Sequence, residues 1–164
     1  MIGYLWYLLR HRWFVMVACW RAGLYWRGLV HDLSKFRPSE FVPYAHFFLG
    51  RNRRDSTGYY KPTDTGDPAF DFAWFLHVKR NDHHWQHWAF PTEDGLKLLD
   101  IPDPVLLEMV CDWHGAARAQ RSRATVAEWW AANNHKMQLS PSTRTRVELL
   151  VAAKPAPHKQ TEEE

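Results

Sequence analysis

Cys19 and Cys111 are the only cysteines among the 164 residues. Two thiols make neither a disulfide framework nor a cysteine-type zinc site. Their scarcity suits a reducing cytoplasm, where the chain is expected to reside. The sequence also lacks any uninterrupted apolar run near the ~20 residues that a membrane span requires. Its apolar start, Met1 to Trp20, is broken in the middle by Arg10, His11 and Arg12. No basic stretch precedes that segment, so it does not read as a signal peptide. It reads as a buried or interfacial helix, and no membrane partner is expected. No internal repeat is visible, and no segment alternates convincingly as a strand. Charge is modest: the formal net value is +3, with a pI near 9.0. That bias favours small anionic partners such as nucleotides or phosphates, and is too weak to indicate DNA binding.

What is abundant is more telling. Hydrophobic residues make up 46%, which excludes a disordered chain, and 164 residues suffice for one domain with a real core. Ten tryptophans supply material for a core, a pocket or an oligomer interface. Ten histidines are also many. Histidine is the commonest metal ligand and normally titrates near neutrality.

Periodicity and punctuation predict an all-α, single-domain bundle of about six or seven helices. The first covers 3–18 and the second 21–35, stopped by Arg37-Pro38. A third opens at Ser39-Glu40 and runs to about Leu49. Residues 50–68 read as a long polar loop carrying Arg53 and Arg54, and long ordered loops are often functional. A helix over about 68–80 precedes a turn or short helix in 81–95. Asp103-Pro104 starts a helix running to about Gln120, with the proline in its first turn. Two more lie near 124–135 and 141–153. The domain is thus expected over 1–153, with a flexible polar tail at 154–164.

Several residues have the chemistry of metal ligands. His31-Asp32 ends an apolar helix pattern and offers two donors from adjacent positions. Neighbours on a helix diverge by about 100°, so both reach one ion only at a helix end. Four histidines, His77, His83, His84 and His87, fall within eleven residues. If the helix continues, His77, Asn81 and His84 share a face. If it breaks at Asn81-Asp82, His83 or His84 can point back towards His77. Asp112 stands seven residues after Val105 and three after Met109, on an apolar stripe, and a buried carboxylate must be paired or bound to a metal. Glu108, one turn earlier, could serve as an outer partner or a base. His11 interrupts an aromatic helix, and a helix–turn–helix would bring it to His31. Lys35 and Ser34 could meet a phosphate, while Glu40 and Tyr44 could line the same pocket.

The order His11, His31-Asp32, the histidines at 77–84, and Asp112 resembles that of the HD-domain superfamily of metal-dependent phosphohydrolases. The phrases HDLSKFRPSEFVPY, AWFLHVKRNDHHWQHW, LEMVCDWHGAAR and HKMQLSPSTRTRVELL also resemble an uncharacterised family of small bacterial and phage proteins. The superfamily resemblance implies that His11, His31, Asp32 and Asp112 hold one metal. It implies that Asp32 bridges to a second, held by His77 and by His83 or His84. Superfamily members with two extra histidines usually space them more widely than the interval from 77 to 83 or 84 here.

The leading expectation is therefore a phosphohydrolase acting on a nucleotide or another small phosphate ester. It would use one or two divalent ions (Mn, Fe, Zn, Ni, Co or Mg). Asp32 or Glu108 would orient a metal-activated water, and Lys35, Arg53, Arg54 and Asn81 would bind the substrate. An oxygen-dependent diiron oxidase with the same ligand order is a second expectation. A non-catalytic module binding protein or single-stranded nucleic acid through tryptophans and the basic loop is a third.

Overall fold

The computed structural model describes residues 1–49 and 65–153. Arg53, Arg54 and the segment 154–164 lie outside the described residues. Within them the chain is an all-helical bundle, as expected, with one small hairpin.

Helix α1 spans Ile2–Arg21, longer than the predicted 3–18. Tyr4, Leu8, His11, Val15 and Cys19 form its buried face at helical spacing. Gly23 takes φ of 80°, a conformation that costs a residue without Cβ little, and the chain reverses there. Helix α2 then covers only Tyr25–Val30, followed by a 3₁₀ turn at Leu33–Phe36. The single helix expected over 21–35 is thus corrected to two short pieces. The break falls on His31-Asp32, where Asp32 adopts the left-handed conformation at φ 57°, ψ 19°. No helix continues through such a residue, and aspartate is among the few non-glycines that tolerate it. In consequence both adjacent side chains turn into the core, where a continuous helix would have splayed them apart.

Helices α3 (Pro38–Leu49) and α4 (Pro68–Arg80) follow. Asp67 caps α4, its Oδ1 accepting from the backbone N–H of Ala69 and Phe70, each at 3.1 Å. The helix stops at Asn81, which is extended at φ −126°, ψ 111° and donates its side-chain amide to the His77 carbonyl at 2.7 Å. A 3₁₀ turn at Trp85–Trp88 leads into strands β1 (Ala89–Thr92) and β2 (Gly95–Leu98), paired antiparallel from Ala89↔Leu98 to Thr92↔Gly95. This hairpin corrects the expectation of no strand. Strands of four residues are too short to display alternation. Pro91 is tolerated because β1 has a single neighbour.

Helices α5 (Asp103–Ala119), α6 (Val126–Asn133) and α7 (Pro141–Ala152) complete the bundle. Thr125 and Glu128 make a reciprocal capping box before α6, and Ser140 Oγ accepts from Thr143 N–H before α7. None of the described helices is long and apolar enough to cross a membrane.

Two apolar clusters flank the polar centre. Tyr4, Leu8, Tyr44, Phe47 and Phe70 join α1, α3 and α4. Ile101, Leu106, Met109, Trp130 and Val147 join α5, α6 and α7. Burying each such side chain stabilises the fold by roughly 1.5–3 kcal/mol. Helix α1 packs most extensively on α5. A Cβ added at Gly115 would lie 2.3 Å from Val15 Cγ2 and 2.7 Å from Val15 N, so only glycine permits this approach. That crossing fixes the distance between His11 on α1 and Asp112 on α5.

Candidate metal centre

Seven side chains expected from the sequence as ligands converge where these elements meet. His11 comes from α1, His31-Asp32 from the turn after α2, His77 from α4, His83 and His84 from the segment after it, and Asp112 from α5. Asp32 divides them. Its Oδ2 faces His11 Nε2 at 3.2 Å and His31 Nε2 at 3.6 Å. Asp112 Oδ1 completes that half, 3.2 Å from His11 Nε2 and 3.5 Å from His31 Nε2. The other oxygen of Asp32, Oδ1, faces His77 Nε2 at 3.2 Å and His83 Nε2 at 3.4 Å. His84 Nε2 closes the second half, 2.8 Å from His77 Nε2. Asp32, His77, His83 and His84 form one group, His11, His31 and Asp32 another, and His31, His83 and Glu108 a third, with donor atoms within 4.8 Å of each other in each.

His77 Nε2 and His84 Nε2 bond each other, but five further donor atoms have no such partner. His11 Nε2, His31 Nε2, His83 Nε2, Asp32 Oδ1 and Asp112 Oδ1 are all buried and lack a hydrogen-bond partner. A buried polar atom left unsatisfied costs roughly 1–3 kcal/mol. Five such atoms in one cluster are the pattern of a ligand shell, and the residues present could hold a divalent cation. Imidazole nitrogen mixed with carboxylate oxygen suits first-row transition ions better than an all-oxygen set would.

The opposite ring nitrogens are held from behind. Glu108 Oε1 lies 2.8 Å from His31 Nδ1 and 3.3 Å from His83 Nδ1, while Glu108 Oε2 accepts from Arg27 Nε. Glu40 Oε2 lies 2.9 Å from His77 Nδ1, and Glu40 Oε1 accepts from Arg80 at 2.6 Å. Carboxylates on Nδ1 fix the tautomer that leaves Nε2 free to ligate. Burial pushes the Glu108 carboxyl up, but hydrogen bonds from His31 and His83 outweigh it and bring it down to about 2. A carboxylate so engaged is a weak proton acceptor, so its geometry is that of an outer partner. Asn81 likewise sits behind His77, donating to Ser34 Oγ at 2.7 Å.

Lys35 stands on the centre itself, its Nζ 2.6 Å from Asp32 Oδ2. Burial depresses the Lys35 ammonium, yet Asp32 beside it wins and holds its pKa well above normal. Burial, with His83 and His77 alongside, keeps His84 well below the usual imidazole range and therefore neutral. A cavity of about 390 Å³ opens onto His11, Lys35, His84 and Asp112. Aromatic rings line much of the rest, among them Tyr4, Tyr7, Tyr44, Trp74 and Trp113. The Tyr44 hydroxyl and Gln86 Oε1 on its wall are buried without partners.

The metal-free protein should have a distinctive pH response. Burial pulls the His31 imidazolium down from 6.5, but Asp32, Asp112 and Glu108 outweigh it and raise it to about 9. Its stabilising contribution is therefore complete below pH 6.5 and lost as pH rises through about 9. Glu108, lowered from 4.5 to about 2, contributes fully above pH 4.5 and loses that contribution as pH falls through about 2. Thermal melts of metal-free protein should fall between pH 6.5 and 9, and a rise there would contradict this protonation scheme. Bound metal should reverse the trend, because ligation requires neutral imidazole.

The structure thus brings together His11, His31, Asp32, His77, Asp112 and Lys35. It seats both His83 and His84 in the second half, where the sequence left either open. The break at Asn81 lets the short interval from 77 to 84 close on one point. Asn81 and Glu108 lie behind the imidazoles, as does Glu40, which the sequence suggested as a pocket residue. Arg27 and Arg80 were not anticipated. Their sequence signals, an arginine four residues before His31 and one three after His77, are too common to single out.

The chain belongs to a family of unknown function, DUF5662, whose sequence pattern matches residues 2–153. No curated protein and no solved structure matches it. The family match carries no reaction and no link to the HD-domain phosphohydrolases, so that resemblance rests on the order of the ligands.

Proposed function

We propose that this member of DUF5662 is a metal-dependent phosphohydrolase that cleaves a small phosphate monoester. The observation that carries the reading is the pair of donor sets that share Asp32, five of their atoms buried without a partner, with a cavity opening onto them. His11, His31, Asp32 and Asp112 would hold one ion. Asp32, His77, His83 and His84 would hold the other. Bound divalent ions supply Lewis-acid polarisation of the phosphoryl oxygens and a water of lowered pKa.

The chain's own residues do the rest. Lys35 offsets phosphate charge at the cavity wall. Glu108 and Glu40 hold the imidazoles in register. The aromatic walls exclude water and give a ring-bearing alcohol, such as a nucleoside, faces to stack on. Lys35 is the sole lysine or arginine among the described lining residues, which favours a monophosphate over a triphosphate.

The test is phosphate release by untagged, metal-loaded protein across nucleoside mono-, di- and triphosphates and simple aromatic phosphate esters. Monoesters should be cleaved fastest. Protein that binds two equivalents of metal yet leaves the whole panel intact would sink the reading. The aromatic cavity also favours one rival, an oxygen-dependent diiron oxidase. Iron in the isolated protein, with oxygen uptake on substrate addition, would replace the hydrolase with that enzyme.

A further inference from the structure

The outward side of α1 carries an apolar stripe that the bundle does not use. Ile2, Trp6, Leu9, Trp13, Met16 and Trp20 follow one another at alternating spacings of four and three, on the side opposite the buried Tyr4, Leu8, His11, Val15 and Cys19. Ile2 is 74% exposed, Trp6 69%, Leu9 43%, Trp13 59% and Trp20 46%. The Trp20 ring meets the Tyr25 ring edge-on at 6.3 Å, so the aromatic surface continues onto α2. Large contiguous apolar surface of this kind marks an interaction site.

Charge decides what it fits. Residues 1–31 contain no aspartate or glutamate. Helical spacing sets Arg12 along one flank of the stripe, and Arg10 and Arg21 along the other. Arg10 bonds the Arg118 carbonyl at 3.2 Å, and Arg12 bonds the carbonyls of His31 and Leu29 at 2.8 and 2.9 Å. Those partners are neutral carbonyls, so the Arg10 charge stays available, while Arg12 also feels the buried Asp32 carboxylate.

We propose that α1 lies flat on the surface of an anionic lipid bilayer, with Trp6, Trp13 and Trp20 at headgroup depth. Tryptophan favours that interface because its body is apolar and its N–H is polar, although the Trp20 N–H donates instead to the Tyr25 carbonyl at 3.1 Å. Arginines flanking the apolar face add attraction to anionic headgroups. A second copy fits less well: it would set two arginine-flanked, acid-free helices against each other. It would also place tryptophans where paired helices favour leucine, isoleucine or valine. Because α1 is not apolar enough to cross a membrane, it rests on one. The metal centre sits on the opposite side of α1, through His11, and stays clear of the lipid. This revises the sequence-based expectation of no membrane partner and does not depend on the reaction catalysed.

The test is co-sedimentation of the full, untagged chain with vesicles of phosphatidylcholine, with and without phosphatidylserine. The chain should pellet with the phosphatidylserine vesicles and detach as salt rises. Trp6→Ala/Trp13→Ala should weaken partition by at least about tenfold, with melting temperature and metal content unchanged at these exposed positions. Absence of partition, or partition indifferent to phosphatidylserine and salt, overturns the proposal. So does a dimer by light scattering that falls to monomer in the double variant while vesicles capture neither protein, since the stripe would then belong to a second copy.

Discussion

Asp32→Ala should empty both halves of the centre, leaving less than about a tenth of the wild-type metal by elemental analysis of untagged protein. Removing an outer partner alone typically costs 10–100-fold in affinity, and in the proposed centre Asp32 would serve both ions. Its two oxygens face different imidazole pairs, His11 with His31 and His77 with His83. Asp112 reaches only the first half, and Glu108 and Glu40 meet the imidazoles at Nδ1, on the side away from the Nε2 donors. The metal-free variant should also be destabilised by about 3–5 kcal/mol in urea unfolding, because the buried Lys35 ammonium loses its anion. Metal content equal to wild type in Asp32→Ala would remove the basis for a shared site, and with it the hydrolase reading.

Glu108→Gln comes next in size. An amide of the same shape can accept through one end only, while the other presents hydrogens to His31 and His83 or to Arg27. Calorimetric titration with a divalent ion should show affinity about 10–100-fold weaker, through loss of imidazole orientation. The metal-free protein should lose about 2–4 kcal/mol, less than a fully buried pair would, since Arg27 is partly exposed. Affinity and stability both within error of wild type would make Glu108 a space-filling residue. A drop in activity with metal affinity intact would instead return Glu108 to the role of a base.

The sequence made some parts of this legible and not others for definable reasons. The start of α5 at Asp103-Pro104 was readable because the signal is local: a proline in the first turn gives up no hydrogen bond there. Asp112 was assigned inward correctly from its spacing to Val105 and Met109, both buried. The hairpin at 89–98 was missed because four-residue strands carry almost no period. The second helix reads too long from sequence because the first stop signal is Arg37-Pro38, whereas the chain leaves the helix at an extended His31 and a left-handed Asp32.

By itself the sequence determined the helical class, the chemical kind of every donor and the order in which the donors occur. Those properties live in composition and in backbone periods that span a few residues. Tertiary structure alone decided which atoms face which. It split the Asp32 carboxylate between two sets, chose both His83 and His84, turned Glu108 and Glu40 to the backs of the imidazoles and left the α1 stripe uncovered. Residues such as His31 and Glu108 stand 77 positions apart, and their approach to 2.8 Å depends on how whole helices pack. The Gly115–Val15 crossing sets that packing for α1 and α5, and no local period in the chain encodes it.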